Sequence, residues 1–335
     1  MLHLKQYTYR EHYIHEEQII CRKQEEKMAV YLSEFIYEEA RKYLEENIDV
    51  VDNFDHPEEI EAIILRVLPV DAKRMDECRN LKIIAKHGAG CDTIDLAAAK
   101  ERGIIVTNTP TANSQSVAEL IVGTMLDASR NITAAHNQAR DGRFTKVAPK
   151  EMTGIELYGK TLGLIGTGNI ARRAAEMLTG GFHMNVMAYD PYVSAEKMQE
   201  LGYRKCETVL EVIEQSDFIN VSVPLTPETK NLIAGDMFNH FKKDAVLVNA
   251  ARGGIVNEDD LYEALKAGKL RAAACDAFVQ EPPSEKTTKL YELPNFVGTP
   301  HIGATTEEAL QRMAYDAVDE VLTVLKGGNP KHRVV

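Results

Sequence analysis

Short apolar runs alternate with amphipathic stretches along the first third of the chain. The runs are MAVYL (28–32), AIIL (62–65), KIIA (82–85) and IIV (104–106), and helical patterns such as IDLAAAKERG (94–103) lie between them. Apolar runs of this length are typical of buried strands. Strands that are separated by helices predict βαβ units with a parallel sheet.

A second series of the same kind begins after residue 160. Its runs are TLGLIG (161–166), NVMAYD (185–190), DFINVS (217–222), AVLVNA (245–250) and AAACDA (272–277). Between the two series, one long helical pattern covers 117–140, with Asn113 or Ser114 as its candidate N-cap. Two such series predict two α/β domains, each built on its own parallel sheet.

The order of the segments predicts that one domain is inserted into the other. A helical pattern, TTEEALQRMAYDAVDEVLTVLKGG, follows the second series, and we expect it to pack back on the first domain. The predicted division is an N-terminal extension at 1–27, a first domain made of 28–108 and 304–335, and a second domain at 109–303.

Composition and charge exclude several classes of protein. With 44% hydrophobic and 27% charged residues, the chain has the composition of a soluble protein, and its net charge of −12 argues against a nucleic-acid partner. No apolar run approaches the about 18 residues of a membrane span, and the N-terminus lacks an apolar signal core. We therefore expect a cytoplasmic protein without a membrane partner. The five cysteines are scattered, so we predict reduced thiols and no metal site.

The sequence GTGNIA at 166–171 follows a predicted strand and opens a predicted helix. Gly166 permits a tight turn, and Gly168 lets the backbone approach a pyrophosphate. Taken alone, this motif could also be a packing turn. The next strand, however, ends in Asp190, whose carboxylate can accept hydrogen bonds from ribose hydroxyls. Because Pro191 and Tyr192 bring no cation for a 2′-phosphate, the pattern predicts NAD rather than NADP.

Three later segments supply candidate catalytic groups. Arg252, in NAARGG after a strand, could hold a 2-oxo acid through two parallel N–H bonds. Glu281 in DAFVQEP and His301 in PHIGA could form a carboxylate–imidazole pair in which the carboxylate favours imidazolium and the histidine moves a proton. Taken singly, these residues could also form a structural salt bridge, a surface turn and a loop histidine that the backbone satisfies.

Together the motifs resemble the D-isomer-specific 2-hydroxyacid dehydrogenase family, which includes 3-phosphoglycerate dehydrogenase, glyoxylate and hydroxypyruvate reductases, and D-lactate dehydrogenase. The resemblance rests on KHGAGCDTID (86–95), NTPTANSQSVAE (108–119), GLIGTGNIARRAA (163–175), YDPY (189–192), VPLTPET (223–229), NAARGGIVNEDDLYEAL (249–265), DAFVQEP (276–282) and PHIGATTEEA (300–309). It implies two Rossmann-like or flavodoxin-like domains, with an NAD-binding domain at 109–303 inserted into the substrate domain. It also implies a homodimer that is built through an arm at 108–155.

The resemblance further implies a role for individual residues. Arg252 would bind the substrate's carboxylate and carbonyl, and His301, paired with Glu281, would donate the proton as hydride reaches the carbonyl carbon of a small 2-oxo acid. The implied NAD contacts are Gly166, Thr167, Gly168, Asn169, Ile170, Asp190, Pro191, Pro224, Thr229, Ala250, Ala251, Arg252, Asp276, His301 and Gly303. The implied substrate contacts are Arg66, Gly88, Ala89, Gly90, Arg252 and His301.

Two alternatives and the identity of the substrate stay open. Formate-oxidising relatives carry glutamine where this chain has Glu281, which argues against that branch, whereas NAD(H)-sensing co-repressors of the same fold can keep all three catalytic groups. Where phosphoglycerate dehydrogenases often read Arg-Ser-x-Thr, this chain has RVLP at 66–69, which keeps the arginine and loses the hydroxyls. The candidate substrates are 3-phosphoglycerate, glyoxylate or hydroxypyruvate, and other 2-oxo acids.

Overall fold

The computed structural model describes residues 28–144, 147 and 149–335, so the predicted extension at 1–27 lies outside the described residues. The chain divides into two compact units. Of the described residues, the first unit holds 28–109 together with Met313–Val335, and the second holds those of Pro110–Arg312. The sequence predicted that the chain passes from one domain to the other at 108/109 and at 303/304. In the structure, the second passage lies at Arg312/Met313, inside the C-terminal helix.

The first unit contains a parallel sheet. Among the described residues its strands are β1 (Ala29–Leu32), β2 (Asp49–Val51), β3 (Ile60–Leu65), β4 (Ile83–Lys86) and β5 (Ile105–Thr107), in the order β2-β1-β3-β4-β5. The helices are α1 (Glu38–Glu45), α2 (Ala72–Glu77), α3 (Leu96–Glu101) and the C-terminal helix, which is numbered α10 (Glu307–Leu325). Ala314, Val318 and Val321 of α10 pack in one core cluster with β1, β3 and β4.

The second unit contains the larger parallel sheet. Its described strands are β6 (Thr161–Ile165), β7 (Asn185–Tyr189), β8 (Arg204–Lys205), β9 (Phe218–Val221), β10 (Val246–Asn249), β11 (Ala272–Cys275) and β12 (Phe296–Gly298). Their order is β12-β11-β10-β9-β6-β7-β8. The helices are α4 (Ser114–Arg130), α5 (Ile132–Arg140), α6 (Asn169–Phe182), α7 (Ala195–Glu200), α8 (Val209–Gln215) and α9 (Glu258–Lys266). The predicted fold class, α/β with two parallel sheets, is confirmed.

In each sheet the direction in which successive strands are added reverses at one point. In the first unit the chain builds β2 on one side of β1 and then crosses to β3 on the other side, and in the second unit it crosses from β8 to β9 on the far side of β6. Open α/β sheets bind ligands outside the carboxyl ends of their strands at such switch points. The loops after β1 and β3, and those after β6 and β9, are therefore the positions where chemistry is expected.

The predicted apolar runs form strands that are buried on both faces of their sheet. All residues of β3, β4, β9, β10 and β11 are buried, which is typical of central parallel strands with helices on both sides. Within the described residues, no helix is both long and apolar enough to cross a bilayer. The predicted cytoplasmic location stays a prediction.

The prediction of one long helix over 117–140 was wrong. Asn131 adopts a left-handed conformation with φ of 57°, which ends α4 and starts α5. Asparagine tolerates this conformation better than other residues with a side chain. Asn113 does occupy the N-cap position of α4, although its side chain makes no capping hydrogen bond.

Candidate active site

His301 and Glu281 form the central pair of the site in the second unit. Nδ1 of His301 lies 2.9 Å from Oε2 and 3.0 Å from Oε1 of Glu281. The two side chains expose 44% and 36% of their surface, so the pair is accessible to a ligand. With Nδ1 engaged by a carboxylate, Nε2 is the ring nitrogen that can exchange a proton with a substrate.

The loop that carries His301 is fixed by Asp276, which follows β11 and is buried. Oδ1 of Asp276 accepts hydrogen bonds from the hydroxyl of Thr299 at 2.7 Å and from the backbone N–H of Ile302 at 2.8 Å. Oδ2 accepts from the backbone N–H of Gly303 at 2.8 Å. Asp276 and Gly303, predicted as NAD contacts, thus lie in the network that positions His301.

Arg252 lies in a turn at the carboxyl end of β10, and Asn249 closes that turn. The side-chain amide of Asn249 donates to the carbonyl of Arg252 at 2.9 Å, and its oxygen accepts from the backbone N–H of Ala251 at 3.2 Å. The guanidinium donates through Nη1 to the carbonyl of Ala251 at 2.7 Å. This role of Asn249 was not predicted from the sequence, although the residue stands in the same NAARGG motif.

Gly253 brings the arginine turn against the loop that carries Glu281. A Cβ atom at Gly253 would lie 2.0 Å from the carbonyl carbon of Phe278 and 2.3 Å from the backbone nitrogen of Val279, so any side chain would push the two loops apart. The same loop is tied back because the N–H of Phe278 donates to Oε1 of Glu281 at 3.1 Å. Arg252 and Glu281 are thereby held in neighbouring loops.

The surroundings of Glu281 keep its carboxyl group ionised. Burial on its own raises the pKa of Glu281, but the hydrogen bond and the charge of His301, the N–H of Phe278 and the charge of Arg252 together outweigh it. The pKa of Glu281 therefore lies below its ordinary value of 4.5. An ionised carboxylate at this place is the partner that an imidazolium requires.

The GTGNIA segment forms the turn between β6 and α6 at the switch point of the larger sheet. Gly166 has φ of 88°, and a Cβ there would lie 2.4 Å from the carbonyl oxygen of Ser222, in the loop after β9. A Cβ at Gly168 would meet nothing within 4 Å. Gly168 is the N-cap of α6 and brings no capping side chain, so the first N–H groups of the helix point to an open position, which suits a pyrophosphate.

Asp190 follows β7 and accepts hydrogen bonds from the glycine-rich turn. Its Oδ2 accepts hydrogen bonds from the backbone N–H and the hydroxyl of Thr167, both at 2.9 Å, and its Oδ1 accepts from the N–H of Tyr192 at 3.0 Å. A carboxylate oxygen accepts more than one bond, so ribose hydroxyls can still bind. The side chain of Tyr192 is 95% exposed, so the position next to this carboxylate is open to solvent.

The remaining predicted cofactor residues lie at the same edge of the sheet. Pro224 and Thr229 share the loop after β9, where the hydroxyl of Thr229 donates to the carbonyl of Pro224 at 2.6 Å. Ala250 and Ala251 follow β10. Exposed Asn169 and half-buried Ile170 open α6, and exposed Pro191 follows Asp190. The predicted set therefore collects at the carboxyl ends of β6, β7, β9, β10, β11 and β12.

The other predicted substrate residues belong to the first unit. Arg66 follows β3, and Gly88, Ala89 and Gly90 follow β4, so they lie at the carboxyl ends of two adjacent strands. The carbonyl of Ala89 accepts a hydrogen bond from the side-chain amide of Asn108 at 2.7 Å, which fixes the second of these loops.

Comparison with known proteins identifies the family. A family model described as D-isomer specific 2-hydroxyacid dehydrogenase, NAD binding domain, matches residues 122–303. The chain belongs to this family. The resemblance seen in the motifs is confirmed, and the second unit carries the NAD-binding domain of the family.

Individual relatives show similarity over most of the chain. It is 41% identical over 309 residues to D-3-phosphoglycerate dehydrogenase of Methanocaldococcus jannaschii, which covers 90% of this chain but 58% of that relative, so the chain spans somewhat more than half of its length. It is 41% identical over 269 residues to hydroxypyruvate reductase of Thermotoga maritima, which covers 80% of this chain and 85% of that relative. The solved structure of the TT0316 protein from Thermus thermophilus matches with a TM-score of 0.85 and 33% identity, over 92% of this chain and 100% of that one.

The lowered pKa of Glu281 predicts how its stabilising effect depends on pH. A carboxyl group whose pKa is lower in the folded state stabilises the fold above its unfolded pKa, and the effect is lost as pH falls through the folded pKa. We expect Glu281→Gln to lower the melting temperature at pH 7, and the difference from wild type to shrink as pH falls from 4.5 toward 3. Circular-dichroism melts of both proteins across this range would show the difference shrinking with acidity, and a constant difference would contradict the assignment.

Proposed function

We propose that this protein is an NAD-dependent oxidoreductase that interconverts a small D-2-hydroxy acid and its 2-oxo acid. The observation that carries the proposal is the Glu281–His301 pair, with Nδ1 2.9 Å from the carboxylate, in a loop beside the turn of Arg252. An exposed carboxylate–imidazole pair next to a guanidinium matches proton transfer on an anionic substrate. The family membership and the named relatives support the same reaction class.

In the proposed reaction His301 moves the proton. Glu281 accepts from Nδ1 and stabilises imidazolium, so that Nε2–H can donate to the carbonyl oxygen of a 2-oxo acid and take the proton back in the reverse direction. Arg252 binds the carboxylate and the carbonyl oxygen of the substrate through its planar fork of N–H groups. Bound NAD(H) supplies the hydride acceptor or donor. The open N-terminus of α6, with Gly168, would hold its pyrophosphate, and Asp190 its ribose.

Four residues of the first unit are further proposed substrate contacts. Arg66 and the loop of Gly88, Ala89 and Gly90 lie at the carboxyl ends of adjacent strands, where open α/β sheets bind ligands. Backbone N–H groups in such a loop can seat a carboxylate.

A homodimer is the proposed assembly, built through the arm at 108–155. Ile121 and Met125 of α4 are fully buried in the core of the second unit, but Ile132 remains 54% and Tyr158 66% exposed. Tyr158 lines a groove of about 360 Å³, together with Leu126, Arg130, Ile155, Glu156, Leu157 and Phe182. Two-fold pairing is the commonest way to bury such an apolar surface.

The reaction is tested by NADH oxidation with glyoxylate, hydroxypyruvate, pyruvate, 2-oxoglutarate and 3-phosphohydroxypyruvate. We expect His301→Ala to lower kcat by roughly 10²–10⁴-fold with near-normal NADH binding, because a positioned acid–base group is lost. The matched control is His240→Ala, since His240 makes a similar pair with Glu214 at 2.9 Å in the same unit. Equal rates for wild type and His301→Ala would refute the proposed role.

Cofactor choice provides a separate prediction. A 2′-phosphate beside Asp190 would bring two negative charges against a carboxylate, so we expect kcat/KM with NADH to exceed that with NADPH by at least about 100-fold. Tyr192→Arg should improve use of NADPH by supplying a cation at an exposed position. Asp190→Asn should weaken use of NADH while preserving the size of the side chain. Equal wild-type activity with both cofactors would show that Asp190 does not contact the ribose.

The proposed dimer is tested by light scattering at micromolar concentration. We expect a mass about twice the 37.4 kDa of the chain. Tyr158→Lys should shift the protein toward monomer because it places a charge in the groove, whereas Tyr43→Lys on α1 serves as a control at another partly exposed tyrosine. A wild-type monomer would rule out the proposed assembly.

A further inference from the structure

The first residue of helix α9 reaches the loop that carries Glu281. Oε1 of Glu258 accepts a hydrogen bond from the backbone N–H of Val279 at 2.7 Å. Asn257 is the N-cap of this helix, and its side-chain oxygen accepts from the N–H of Asp260 at 3.0 Å. The cap fixes the residue at which the helix starts, and therefore the place from which the side chain of Glu258 extends.

The peptide group between Phe278 and Val279 is held on two sides. A Cβ at Gly253 would lie 2.0 Å from the carbonyl carbon of Phe278 and 2.3 Å from the nitrogen of Val279, so the turn of Arg252 packs directly against this peptide. Glu258 binds the N–H of the same peptide. The packing limits where the peptide can lie, and the hydrogen bond fixes its orientation.

Phe278 connects this peptide to the carboxylate of Glu281. Its buried ring stacks on Tyr291, with ring centroids 5.9 Å apart, and meets Phe296 edge-on at 6.2 Å. Its own N–H donates to Oε1 of Glu281 at 3.1 Å and closes the segment 278–281 into a turn. The direction in which Glu281 faces His301 therefore depends on the peptide groups on either side of Phe278.

An acidic first turn is common in helices because carboxylates interact favourably with the helix dipole, and this alone could account for the presence of Glu258. Its bond to Val279, however, joins residues that are 21 positions apart and fixes a loop that carries a proposed catalytic group. Asp260 makes a comparable bond from the same turn, since its Oδ2 accepts from the N–H of Gly235 at 2.8 Å. The segment that starts at Gly235 carries none of the proposed site residues.

We propose that Glu258 is a positioning residue that holds Glu281 against His301 by fixing the peptide between Phe278 and Val279. This inference rests on the proposed function. Val279 is 72% exposed, so water can replace the carboxylate when the bond is lost, and the fold persists while the loop gains freedom to move. Glu281 then spends less time in contact with His301, and imidazolium is stabilised less.

Two variants separate the reach of Glu258 from its charge. Glu258→Asp keeps the charge at the start of α9 but shortens the side chain by one methylene, so that the carboxylate no longer reaches Val279. Glu258→Gln keeps the reach and an oxygen acceptor but removes the charge. For the 2-oxo acid that wild type reduces fastest, we expect kcat to fall about tenfold in Glu258→Asp and to stay within about threefold of wild type in Glu258→Gln, with near-normal KM for NADH. A wild-type kcat in Glu258→Asp, or an equal loss in both variants, would overturn the inference.

The matched control is Asp260→Ala, which removes the bond from the same helix turn to the N–H of Gly235. Its kcat should stay within about twofold of wild type. The loss caused by Glu258→Asp should shrink to less than about twofold in the Glu281→Gln background, because the proposed effect passes through Glu281. A full loss in that background would show that Glu258 acts by another route.

The pH profile provides a further readout. Burial raises the pKa of Glu281, and the N–H of Phe278 is one of the groups that lower it below its ordinary value. If Glu258→Asp loosens the turn, the pKa of Glu281 rises, so the acidic limb of kcat should move to higher pH. Glu258→Gln and Asp260→Ala should keep the acidic limb of wild type. An acidic limb that does not move in Glu258→Asp would contradict the proposed coupling.

A stability measurement separates failure of this inference from failure of the proposed function. The fall in melting temperature that Glu281→Gln causes at pH 7 should be reduced to about half or less in the Glu258→Asp background and unchanged in the Asp260→Ala background. If wild type reduces none of the 2-oxo acids, the proposed function fails, and the melting experiment still decides whether Glu258 holds Glu281. Equal falls in all three backgrounds would show that it does not.

Discussion

The position of His301 in the second unit depends on the hydrogen bonds that buried Asp276 accepts from the loop 299–303. His301 has a left-handed backbone with φ of 55°, a conformation that costs a residue with a side chain about 1–3 kcal/mol and persists where its surroundings over-determine it. Three donors on one carboxylate supply that constraint. Asp276 is itself placed by its own N–H, which donates to the carbonyl of Asn249 at 3.0 Å. The loop of His301 and the turn of Arg252 are thereby both anchored at the ends of β10 and β11.

Other carboxylates near the carboxyl ends of strands also accept hydrogen bonds from a neighbouring loop. Asp190 accepts from Thr167 and Tyr192, and Glu34 accepts from residues 66–68. These carboxylates are compensated by hydrogen-bond donors, most of them backbone N–H groups. Such pairing explains how a chain with a net charge of −12 can shape loops for anionic ligands. The field that the proposed anionic substrate would meet is then set by local cations such as Arg252, since hydrogen-bond donors within the loops stabilise the charge of the nearby carboxylates.

Sequence reasoning succeeded where the determinant is local. Apolar runs predicted the central strands because both faces of a parallel sheet are buried. GTGNIA predicted the turn after β6 because the backbone conformation of Gly166 itself favours glycine. Strands β2, β8 and β12 were missed, since they are short and partly exposed and therefore carry no long apolar run. The helix break at Asn131 was missed because an asparagine within an amphipathic pattern signals a break weakly.

The long-range contacts were out of reach for a different reason. Glu34 is 32 residues from Arg66 in the chain, and the bond between them joins a side chain to a backbone N–H, which any residue except proline could donate. His301 and Glu281 were found because both side chains carry recognisable chemistry in family motifs. Asn249, which closes the turn of Arg252, and Thr299, in the loop of His301, bond to the backbone or to one buried carboxylate and do not differ in type from ordinary loop residues.

Two glycines of the site show why residue type alone does not give function. Gly253 is required because there is no room, since a Cβ would lie 2.0 Å from the backbone of Phe278, and that contact keeps Arg252 near the loop of Glu281. Gly168 is surrounded by open space, with nothing within 4 Å of a Cβ, and what it preserves is access to the N–H groups of α6. One glycine therefore fixes the position of the Arg252 turn relative to the Glu281 loop, and the other leaves open space at the N-terminus of α6. The family motifs contain both as the same letter, and their opposite physical roles emerge when the neighbouring backbone is known.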